Sequence, residues 1–449
     1  MKVHSDYKTF DIATNALEMI PRFQAELEKL RGGRIEVTEL FIPRVFPRGE
    51  KSFAIQYRLV VVNNEKNETE TLTYFGHLLG KSGRWPDYIE EHSDSVLVWN
   101  DLRLVVPIFP FDPKLTSLRD FVDLKGAKRL LQKHAAALGL SERRWSVVDC
   151  QLLGYRLERR AVLRYVLEVA QSADRDAHTQ TIIARIVRQN KIKSAIESLL
   201  FLKTNGFNMD SIDRLTIPDF PCSDGDNGVY FMEAVPGELL NSLTASQKIA
   251  AGCAGAGLLL RKLHGLRTVM LPPFTRDQEM IDLEAKTSLA SGIFPEISAQ
   301  FVELFSSLRM EGEKLPSPSQ AVVIHRDFYD KQILYSPDRL TLLDFDNLSL
   351  GDPAQDYGNF LAHLALRQLQ EPTNADNIAA GNTEFLNGYG IQDENFTRRA
   401  RWWEASALLR LAAIYSLRPR WRGIIPSLLQ EAAKIIANNS TKKRGVLCD

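Results

Sequence analysis

The first third of the chain changes from a helical pattern of apolar residues to a strand pattern. From 11 to 30, apolar side chains recur at helical spacing along one face, namely Ile12, Ala16, Ile20, Phe23 and Leu27. The spacing then shortens to every second residue, which predicts strands at 34–41, 52–62 and 71–79. A helix followed by strands predicts a small α+β unit at this end of the chain.

A strand pattern returns between 146 and 187, after a predicted helix near 124–140 that joins the two units. Its third strand, 181–187, leads into a predicted helix at 191–203, which Asn205 and Gly206 end. The weak similarity of 52–59 to 160–167 leaves two explanations open, a duplicated unit or two unrelated β-meanders. Either way, two sheet-bearing units precede the rest of the chain.

Beyond 236 the pattern is mainly helical, with predicted helices at 245–266, 359–370, 375–388 and 397–417. Two short apolar runs, 322–324 and 340–343, interrupt this pattern and predict buried strands. We therefore expect an α+β fold in three parts. They are an N-terminal α+β domain at 1–125, a sheet-rich lobe at 146–235 and a helical lobe at 236–449.

The composition of the 449 residues is that of an ordinary globular protein, with 44% hydrophobic and 25% charged residues. Lysine plus arginine equal aspartate plus glutamate at 56 each, so no overall field attracts nucleic acid or an anionic membrane. Neither a signal-peptide pattern nor a membrane-spanning apolar run is found. The four cysteines lack the spacing of a metal site, which favours reduced thiols: Cys150, Cys222, Cys253 and Cys448. We expect a soluble cytoplasmic protein that binds neither nucleic acid nor membrane.

The residues that carry chemistry are concentrated between 321 and 360. Asp327 follows the first predicted strand of this stretch, Gln332 stands five residues further on, and Asp344 follows the second strand. A loop and a hairpin would bring these three side chains to one edge. Phosphoryl transfer needs such a set, because one carboxylate must orient and deprotonate the attacking hydroxyl. A second carboxylate, with an amide oxygen beside it, must hold magnesium against the nucleotide phosphates.

The order of these motifs is similar to that of protein kinases, H-R-D followed by four residues and Asn, and then D-F-G. Gln332 replaces the Asn and Asp346 replaces the Gly. The run at 344–346, followed by Gly-Asp-Pro at 351–353, resembles the aminoglycoside phosphotransferase and choline kinase superfamily. In having glutamine at the metal-ligand position, the sequence is similar to maltokinases. The resemblance implies a protein-kinase-like two-lobe fold, here with the N-terminal unit as an extra cap domain.

The same resemblance implies roles for individual residues. Asp327 would be the catalytic base, and Gln332 with Asp344 would bind Mg²⁺. Asp346 would either assist the metal or fix the end of its strand. Structural roles, in fixing loops or capping helices, are implied for His325, Asp352 and Asp356.

On the nucleotide side, Arg185 stands where the family has a phosphate-contacting lysine. Glu197 on the following helix either pairs with Arg185 or is a solvated helix residue. The resemblance places adenine against the backbone of the hinge between Glu233 and Val235. The hairpin at 154–160 has no clustered glycines, so its arginines either supply positive charge to the phosphates or form an exposed turn: Arg156, Arg159 and Arg160.

The C-terminal helical region would line the acceptor pocket, as it does in related enzymes. Trp402 and Trp403 could stack on a sugar ring while Glu404 bonds its hydroxyls or amines. The alternative is that at least one of the tryptophans is packed in the core. Basic residues between 410 and 422 lie within or just after the same helix.

We therefore expect a small-molecule kinase that uses Mg²⁺ and ATP or GTP. Its acceptor would be a hydroxyl of a small molecule, of the sugar or aminoglycoside kind. The alternative is a pseudokinase with a nucleotide-binding or regulatory role. The missing glycines, the Arg in place of Lys and the Gln in place of Asn support that alternative. The presence of a base and of a metal carboxylate favours catalysis.

Overall fold

The computed structural model of the protein describes residues 1–32, 35–49, 51–65, 67–80, 84–170, 178–268, 270–390 and 392–441. The helix predicted at 11–30 is present as two helices, α1 (Lys8–Ala13) and α2 (Ala16–Arg31). Asn15 divides them, because its side-chain oxygen accepts a 3.0 Å hydrogen bond from the Leu17 N–H and begins a new helix.

These helices pack on an antiparallel sheet of five strands in the order β1-β2-β3-β5-β4. The strands are β1 (Ile35–Pro47), β2 (Phe53–Asn63), β3 (Glu68–Leu78), β4 (Val96–Trp99) and β5 (Leu104–Pro107), with a short helix α3 (Tyr88–Glu91) before β4. The first three strands match the predicted ones. The strands β4 and β5 were not predicted, because a strand of four residues is too short for its alternation of apolar and polar residues to be recognised in the sequence. We call residues 1–107 the cap.

A second antiparallel sheet follows, in the order β10-β11-β8-β7-β6. Its strands are β6 (Trp145–Arg156), β7 (Arg160–Val169), β8 (His178–Val187), β10 (Ser223–Asp224) and β11 (Val229–Glu233). The joining helix α4 (Leu124–Lys133) lies against β6, and the buried side chains of 115–140 share a core with this sheet. The segment that links the two units therefore packs on the second sheet rather than on the cap. The helix α5 (Gln189–Thr204) follows β8.

The remainder is mainly helical and confirms the expected α+β architecture, with a sheet-rich lobe followed by a helical lobe. Its helices are α6 (Ser246–His264), α7 (Arg276–Ile293), α8 (Ser298–Glu313), α9 (Ala354–Gln370), α10 (Ala375–Tyr389), α11 (Glu394–Ser416) and α12 (Ile425–Thr441). A 3-10 segment, Pro419–Ile424, joins the last two helices.

Short strands inside the helical lobe hold the loops that carry the motifs. The strand β13 (Val322–Ile324) pairs with β16 (Ser349–Gly351). The hairpin of β14 (Ile333–Ser336) and β15 (Arg339–Leu342) turns at Pro337 and Asp338 and is extended by β9 (Leu215–Thr216) and β12 (Glu238–Leu239). Asp327 and Gln332 therefore lie between β13 and β14, and Asp344 lies just after β15.

The cap contacts both lobes. At its N-terminus the His4 N–H donates to the Ile293 carbonyl oxygen at the end of α7 (2.8 Å). At its sheet, the ring of Phe75 lies 5.0 Å from that of Tyr155 at the end of β6. Arg48 donates a 2.8 Å hydrogen bond to the carbonyl oxygen of Leu157, in the turn between β6 and β7. The cap thus bridges the sheet-rich lobe and the helical lobe.

Among the helices that the structure describes, none combines the length and the apolar character that a bilayer crossing requires.

Candidate active site

The loop after β13 is held by a carboxylate from α9. Asp356 accepts hydrogen bonds from the backbone N–H groups of His325 (2.6 Å) and Arg326 (2.8 Å). The ring of His325 is completely buried, and its Nε2 donates to the carbonyl oxygen of Leu343 (3.0 Å). His325 and Asp356 therefore fix the loop that carries Asp327 against the strand end that carries Asp344.

Two residues of this site have left-handed backbone conformations, Arg326 with φ 66° and Asp344 with φ 64°. Aspartate tolerates this region better than arginine, for which such a conformation costs on the order of 1–3 kcal/mol. The Asp356 carboxylate, which binds the Arg326 N–H, and the Phe274 ring, 3.8 Å from the Arg326 guanidinium, hold that residue in place. The backbone strain lies directly beside Asp327.

Gln332 and Asp327 contact each other directly. The Gln332 amide nitrogen donates a 3.2 Å hydrogen bond to Asp327 Oδ2. Burial raises the pKa of Asp327 above its ordinary value, and the charge of Asp344 adds to the increase. The charges of His325 and Arg410 and the hydrogen bond from Gln332 oppose it. The base predicted from the sequence thus has a raised pKa and a fixed orientation.

Asp344 lies in a cluster of two carboxylates and two guanidinium groups. Arg160 donates to Asp344 Oδ1 (2.7 Å) and Oδ2 (2.8 Å) and to Asp346 Oδ2 (3.0 Å). Arg185 donates to Asp344 Oδ1 (3.0 Å) and Asp346 Oδ2 (2.8 Å). Burial alone would raise the pKa of Asp344, but Arg185 and Arg160 outweigh it and hold that pKa well below its usual range.

The two carboxylates predicted for magnesium, Asp344 and Asp346, lie together here, and the Gln332 carbonyl oxygen accepts a 2.8 Å hydrogen bond from the N–H of Leu343, the residue before Asp344. Asp344, Asp346 and Gln332 offer carboxylate and amide oxygens, which are the ligands that Mg²⁺ prefers. Within the described ranges no group of three or more His, Cys, Asp and Glu side chains is placed to hold a metal ion. Mg²⁺ needs fewer protein ligands than that when nucleotide phosphates supply the rest. The two arginines already provide positive charge to the same carboxylate oxygens, so the donor set fits a cation.

Glu197 is not part of this cluster, so of its two explanations the solvated helix residue is the correct one. Its side chain is 64% exposed and lies 3.9 Å from Lys193 on the solvent side of α5. Arg185 is buried and turns to Asp344 and Asp346 instead, with its guanidinium 5.8 Å from the ring of Tyr230. The helical period of α5 could not show which way its charged face points.

The sequence left two explanations open for Arg160, a contact to the phosphates or a place in an exposed turn. Its side chain is 24% exposed and is paired with Asp344, so the exposed-turn explanation is wrong for this residue. The alternation of the strands could have indicated this. Arg185 pairs across the sheet with Val162, two residues from Arg160, so both arginines belong to the same face.

The turn of the hairpin at 157–159 is covered by the cap and the segment that follows it. Asp112 Oδ2 accepts hydrogen bonds from the Tyr155 hydroxyl (2.8 Å) and the Glu158 N–H (2.7 Å). Leu157 is buried, and the Glu158 carboxylate lies 3.5 Å from the ammonium of Lys114. These contacts hold the turn without the clustered glycines that a flexible phosphate loop would have.

The hinge residues lie at the end of β11, as expected from the sequence. Glu233 is exposed, and its backbone N–H donates to the carbonyl oxygen of Asp219 (3.0 Å). That N–H is therefore occupied within the protein, whereas Val235 lies in the segment between β11 and β12. An adenine bound at this segment would therefore have to bond backbone groups other than the Glu233 N–H.

Trp402 and Trp403 are packed in the helical lobe, and only 2% and 3% of their surfaces are exposed. Their indole N–H groups donate to the Leu308 carbonyl oxygen (2.8 Å) and to Asp352 Oδ2 (3.3 Å). They contribute to a cavity of about 690 Å³ between α7, α8 and α11, whose lining does not include Asp327. The structure therefore corresponds to the packing alternative for both tryptophans.

Glu404 and Asp352 occupy the same part of the lobe. Burial raises the pKa of Glu404 to about 8, with Glu431 adding to the increase and Arg401 opposing it. Asp352 accepts hydrogen bonds from the Ala354 N–H (3.1 Å) and Arg399 Nε (2.9 Å) and so ties the start of α9 to α11. None of these interactions of Glu404 and Asp352 involves the loop that carries Asp327.

Other residues of the helical lobe surround Asp327. The ring of Tyr329 stacks on that of His363 at 4.1 Å. Arg410 donates to the Asn359 side-chain oxygen (2.7 Å) and has its Nε 3.5 Å from Glu279 Oε1. Its charge reaches Asp327, as the pKa of that carboxyl shows. In the sequence, the basic residues at 410–422 therefore indicated the surroundings of Asp327 better than Trp402 and Trp403 did.

The chain is similar to several solved structures. Similar solved structures include a choline/ethanolamine kinase family protein from Mesorhizobium loti, with 16% identity, 69% of this chain and 94% of that chain covered, and a TM-score of 0.46. A choline kinase from Cryptosporidium parvum Iowa II has 11% identity, coverages of 72% and 98%, and a TM-score of 0.47. A thermostable mutant of aminoglycoside phosphotransferase APH(4)-Ia has 13% identity, coverages of 70% and 99%, and a TM-score of 0.48.

No curated protein matches the chain. The model of the phosphotransferase enzyme family, APH, matches residues 136–403, which is more than half of the 449 residues. This match covers the sheet-rich lobe, the helical lobe as far as 403 and every residue of the cluster around Asp344. The expected resemblance is confirmed, and the chain belongs to the phosphotransferase enzyme family.

Proposed function

We propose that this enzyme transfers the γ-phosphate of ATP or GTP, bound with Mg²⁺, to a hydroxyl group of a small molecule of the sugar or aminoglycoside kind. One observation carries the proposal. Two carboxylates that meet at one edge of the helical lobe, Asp327 and Asp344, have pKa values shifted in opposite directions. A carboxylate with a raised pKa suits a proton acceptor, and one with a lowered pKa suits a group that stays ionised.

Asp327 is the proposed base. A raised pKa brings a carboxylate closer to the pH at which it works, which favours proton transfer from a hydroxyl. The Gln332 hydrogen bond and the fixed loop backbone hold its carboxylate in one orientation. Asp327 would accept the acceptor proton as the oxygen of that hydroxyl approaches the γ-phosphorus.

Asp344, Asp346 and Gln332 are the proposed metal ligands. Because the Gln332 amide nitrogen donates to Asp327, its amide oxygen is the atom left for a cation. When bound, Mg²⁺ would neutralise negative charge on the nucleotide phosphates. The low pKa of Asp344 keeps it ionised as a ligand at neutral and mildly acidic pH.

Arg160 and Arg185 are the proposed phosphate contacts. Two guanidinium groups and two carboxylates form a cluster with no net charge. With a nucleotide and Mg²⁺ bound, this pairing would be exchanged: Arg160 and Arg185 would bind the phosphates, and Asp344 and Asp346 would hold the cation. The exchange keeps every charge paired, and it supplies phosphate contacts that the missing glycines do not.

The division into the cap, a nucleotide-binding lobe (146–235) and a catalytic lobe (236–449) is part of this proposal, with the end of the cap at 107 rather than at the expected 125, because Leu115, Leu118 and Phe121 share a core with the second sheet. The nucleotide would lie between the second sheet and the helical lobe, with its base near Val235. A cytoplasmic location would give the enzyme its nucleotides.

A second candidate is a pseudokinase with a regulatory role. The observation that favours it is the same cluster, because both acids proposed for the metal are already paired with arginine. If the pairs do not exchange, nucleotide would bind without magnesium and no phosphate would be transferred. The two candidates therefore differ in whether Mg²⁺ strengthens nucleotide binding.

The test is a coupled assay of nucleotide consumption with Mg²⁺ across sugars, aminoglycosides and amino alcohols. We expect at least one acceptor to increase consumption, and the increase to disappear in the Asp327→Asn variant. Glu197→Gln, an exposed residue of the nucleotide lobe outside the cluster, is the matched control and should behave as wild type. Nucleotide binding without any magnesium dependence or turnover would establish the pseudokinase instead.

A further inference from the structure

The cap presents one face of its sheet to the hairpin of the nucleotide lobe. Cross-strand neighbours share a face of a sheet, and Arg44, Gln56 and Phe75 lie opposite one another on β1, β2 and β3. Phe75 contacts Tyr155 of the hairpin, so this face is the one that docks. Arg44 lies at the outer end of the row, on the edge strand β1.

The strand β1 passes from the hairpin to the C-terminal helices. Phe46, two residues from Arg44 on the same face, lies under the guanidinium of Arg156 at 4.9 Å. The same strand contacts the 3-10 segment Pro419–Ile424, which directly follows Arg418. The exposed side chain of Arg44 is therefore positioned between the nucleotide lobe and the end of α11.

Electrostatic effects support this position. The charge of Arg44 is one of the causes that lower the pKa of Arg156, after burial and two nearer arginines, and that of Arg418, after burial. Burial raises the pKa of Tyr329, and Arg44 opposes that increase. One cap residue thus acts on the hairpin, on the catalytic loop and on the segment after α11.

Within the residues that the structure describes, Arg418 forms no ion pair with a carboxylate, and the groups that act on its pKa besides burial include Tyr415, Arg44 and Tyr329. Its guanidinium lies 4.0 Å from the Tyr415 ring, and its Nε is buried with no hydrogen-bond partner in the part of the chain that the structure describes. Other arginines of the cleft are paired, Arg410 with Glu279 and Arg367 with Glu371. Two positive charges held together without a carboxylate indicate that an anion completes the site.

Arg44 and Arg418 lie near the loop that carries Asp327 rather than near the proposed phosphate contacts. Tyr329 stands two residues after Asp327, and the charge of Asp327 adds to the increase in its pKa. Arg160 and Arg185, by contrast, are bound to Asp344 and Asp346. Arg44 and Arg418 therefore lie on the side of the acceptor hydroxyl.

We propose that Arg44 of the cap and Arg418 of the C-terminal region form a subsite for a negatively charged group, phosphate or carboxylate, on the acceptor. The inference rests on the proposed function and narrows its acceptor to an anionic hydroxyl compound, such as a sugar phosphate or a sugar acid. In the reaction the hydroxyl proton passes to Asp327 and the hydroxyl oxygen bonds to the γ-phosphorus. The bond from that phosphorus to the β–γ bridging oxygen breaks, and the nucleoside diphosphate leaves with its electron pair.

The first test compares four hexoses of one configuration, namely the neutral sugar, its 6-phosphate, its uronic acid and its 2-amino derivative. We expect kcat/KM of wild type to be at least tenfold higher for one of the two anionic compounds than for the neutral sugar. The phosphate and carboxylate arms then identify which anion the subsite takes. Preference for the neutral or the amino compound would overturn the inference.

The second test uses Arg44→Gln and Arg418→Gln, with Arg58→Gln as the matched control. Arg58 is an exposed arginine on the neighbouring strand of the same sheet. We expect each test variant to raise KM for the anionic acceptor about 10- to 100-fold, as loss of a charge-assisted hydrogen bond predicts. KM for the nucleotide should stay within about twofold, and the control should match wild type. An altered nucleotide KM with an unchanged acceptor KM would assign Arg44 to the phosphates instead.

A binding measurement keeps the inference independent of turnover. Calorimetric titration of the four hexoses is made into protein saturated with Mg²⁺ and a non-hydrolysable ATP analogue. Binding of an anionic hexose that Arg44→Gln weakens would support the subsite even if no transfer occurs, in which case only the proposed function fails. Absence of binding by both anionic hexoses, or equal binding by wild type and the variant, would overturn the inference while leaving the proposed function to its own assay.

Discussion

Arg160 donates hydrogen bonds of 2.7 and 2.8 Å to the two carboxylate oxygens of Asp344, although 184 residues separate them in the chain. The pair joins the start of β7 in the sheet-rich lobe to the end of β15 in the helical lobe. Arg185 and Asp346 complete it as a neutral group of four charges. The residues proposed to bind magnesium and phosphate thus also hold the two lobes together.

Asp344→Asn should lower the stability of the protein at pH 7. The variant keeps the shape of the side chain but leaves two guanidinium groups with one carboxylate, which should cost about 3 kcal/mol of unfolding free energy. The pKa of Asp344 is depressed by folding, so its contribution is present above the unfolded pKa and decreases as the pH falls. Urea unfolding at pH 7 and at successively lower pH measures both effects. Equal stability of variant and wild type at pH 7 would show that the cluster is not formed.

Asp327→Asn should have the opposite effect on stability. Burial raises the pKa of Asp327, so its contribution is fully present below the unfolded pKa and is lost as the pH rises through the folded value. At pH 7 the ionised carboxylate is unfavourable in the folded state, and the amide removes it. We expect a midpoint of unfolding equal to or above that of wild type, and a clear decrease would contradict the burial of this residue.

The pH dependence of turnover should report the same group. A base must be deprotonated, so kcat/KM should fall as the pH is lowered through the pKa of Asp327 in the free enzyme. Because burial raises that pKa, the acidic limb should lie above the ordinary value of 3.8. The measurement is kcat/KM against pH, with circular dichroism to confirm folding at each point. An activity that persists down to a pH of about 4 would assign the base to another group.

The Gln332 side chain should be fitted to its place in the loop. Asparagine would withdraw the amide oxygen by roughly an ångström, which the strict octahedron of Mg²⁺ does not tolerate. Gln332→Asn should therefore require more Mg²⁺ and turn over more slowly, and Gln332→Ala should be weaker still. Phosphate transfer against magnesium concentration measures this, and three superimposable curves would remove Gln332 from the metal site.

The sequence was sufficient for contacts that follow from local order. Asp327, Gln332 and Asp344 lie together because short strands on either side of each loop fix where the loops end. Asp356 could be assigned to the loop because it opens the helix behind it. These relationships depend on spacing along the chain, which the pattern of apolar residues shows directly.

Contacts between segments that are far apart in the chain could not be predicted from the sequence. The period of α5 shows that one of its faces is buried, but not that Glu197 points away from Arg185. The period of α11 likewise could not distinguish a tryptophan packed in the core from one exposed for stacking on a sugar ring. The docking of the cap on the hairpin, and with it the position of Arg44, depends on how two sheets approach each other.

The central claim is that Asp327 is the base of a phosphotransferase, and turnover of Asp327→Asn against its nucleotide affinity tests it most directly. The amide keeps the shape of the site, so Kd for the nucleotide with Mg²⁺ should stay within about twofold of wild type. Loss of a positioned base should lower kcat by about 10²–10⁴, measured as phosphate transferred to the best acceptor. A variant that binds nucleotide normally and retains more than about a tenth of wild-type kcat would contradict the account.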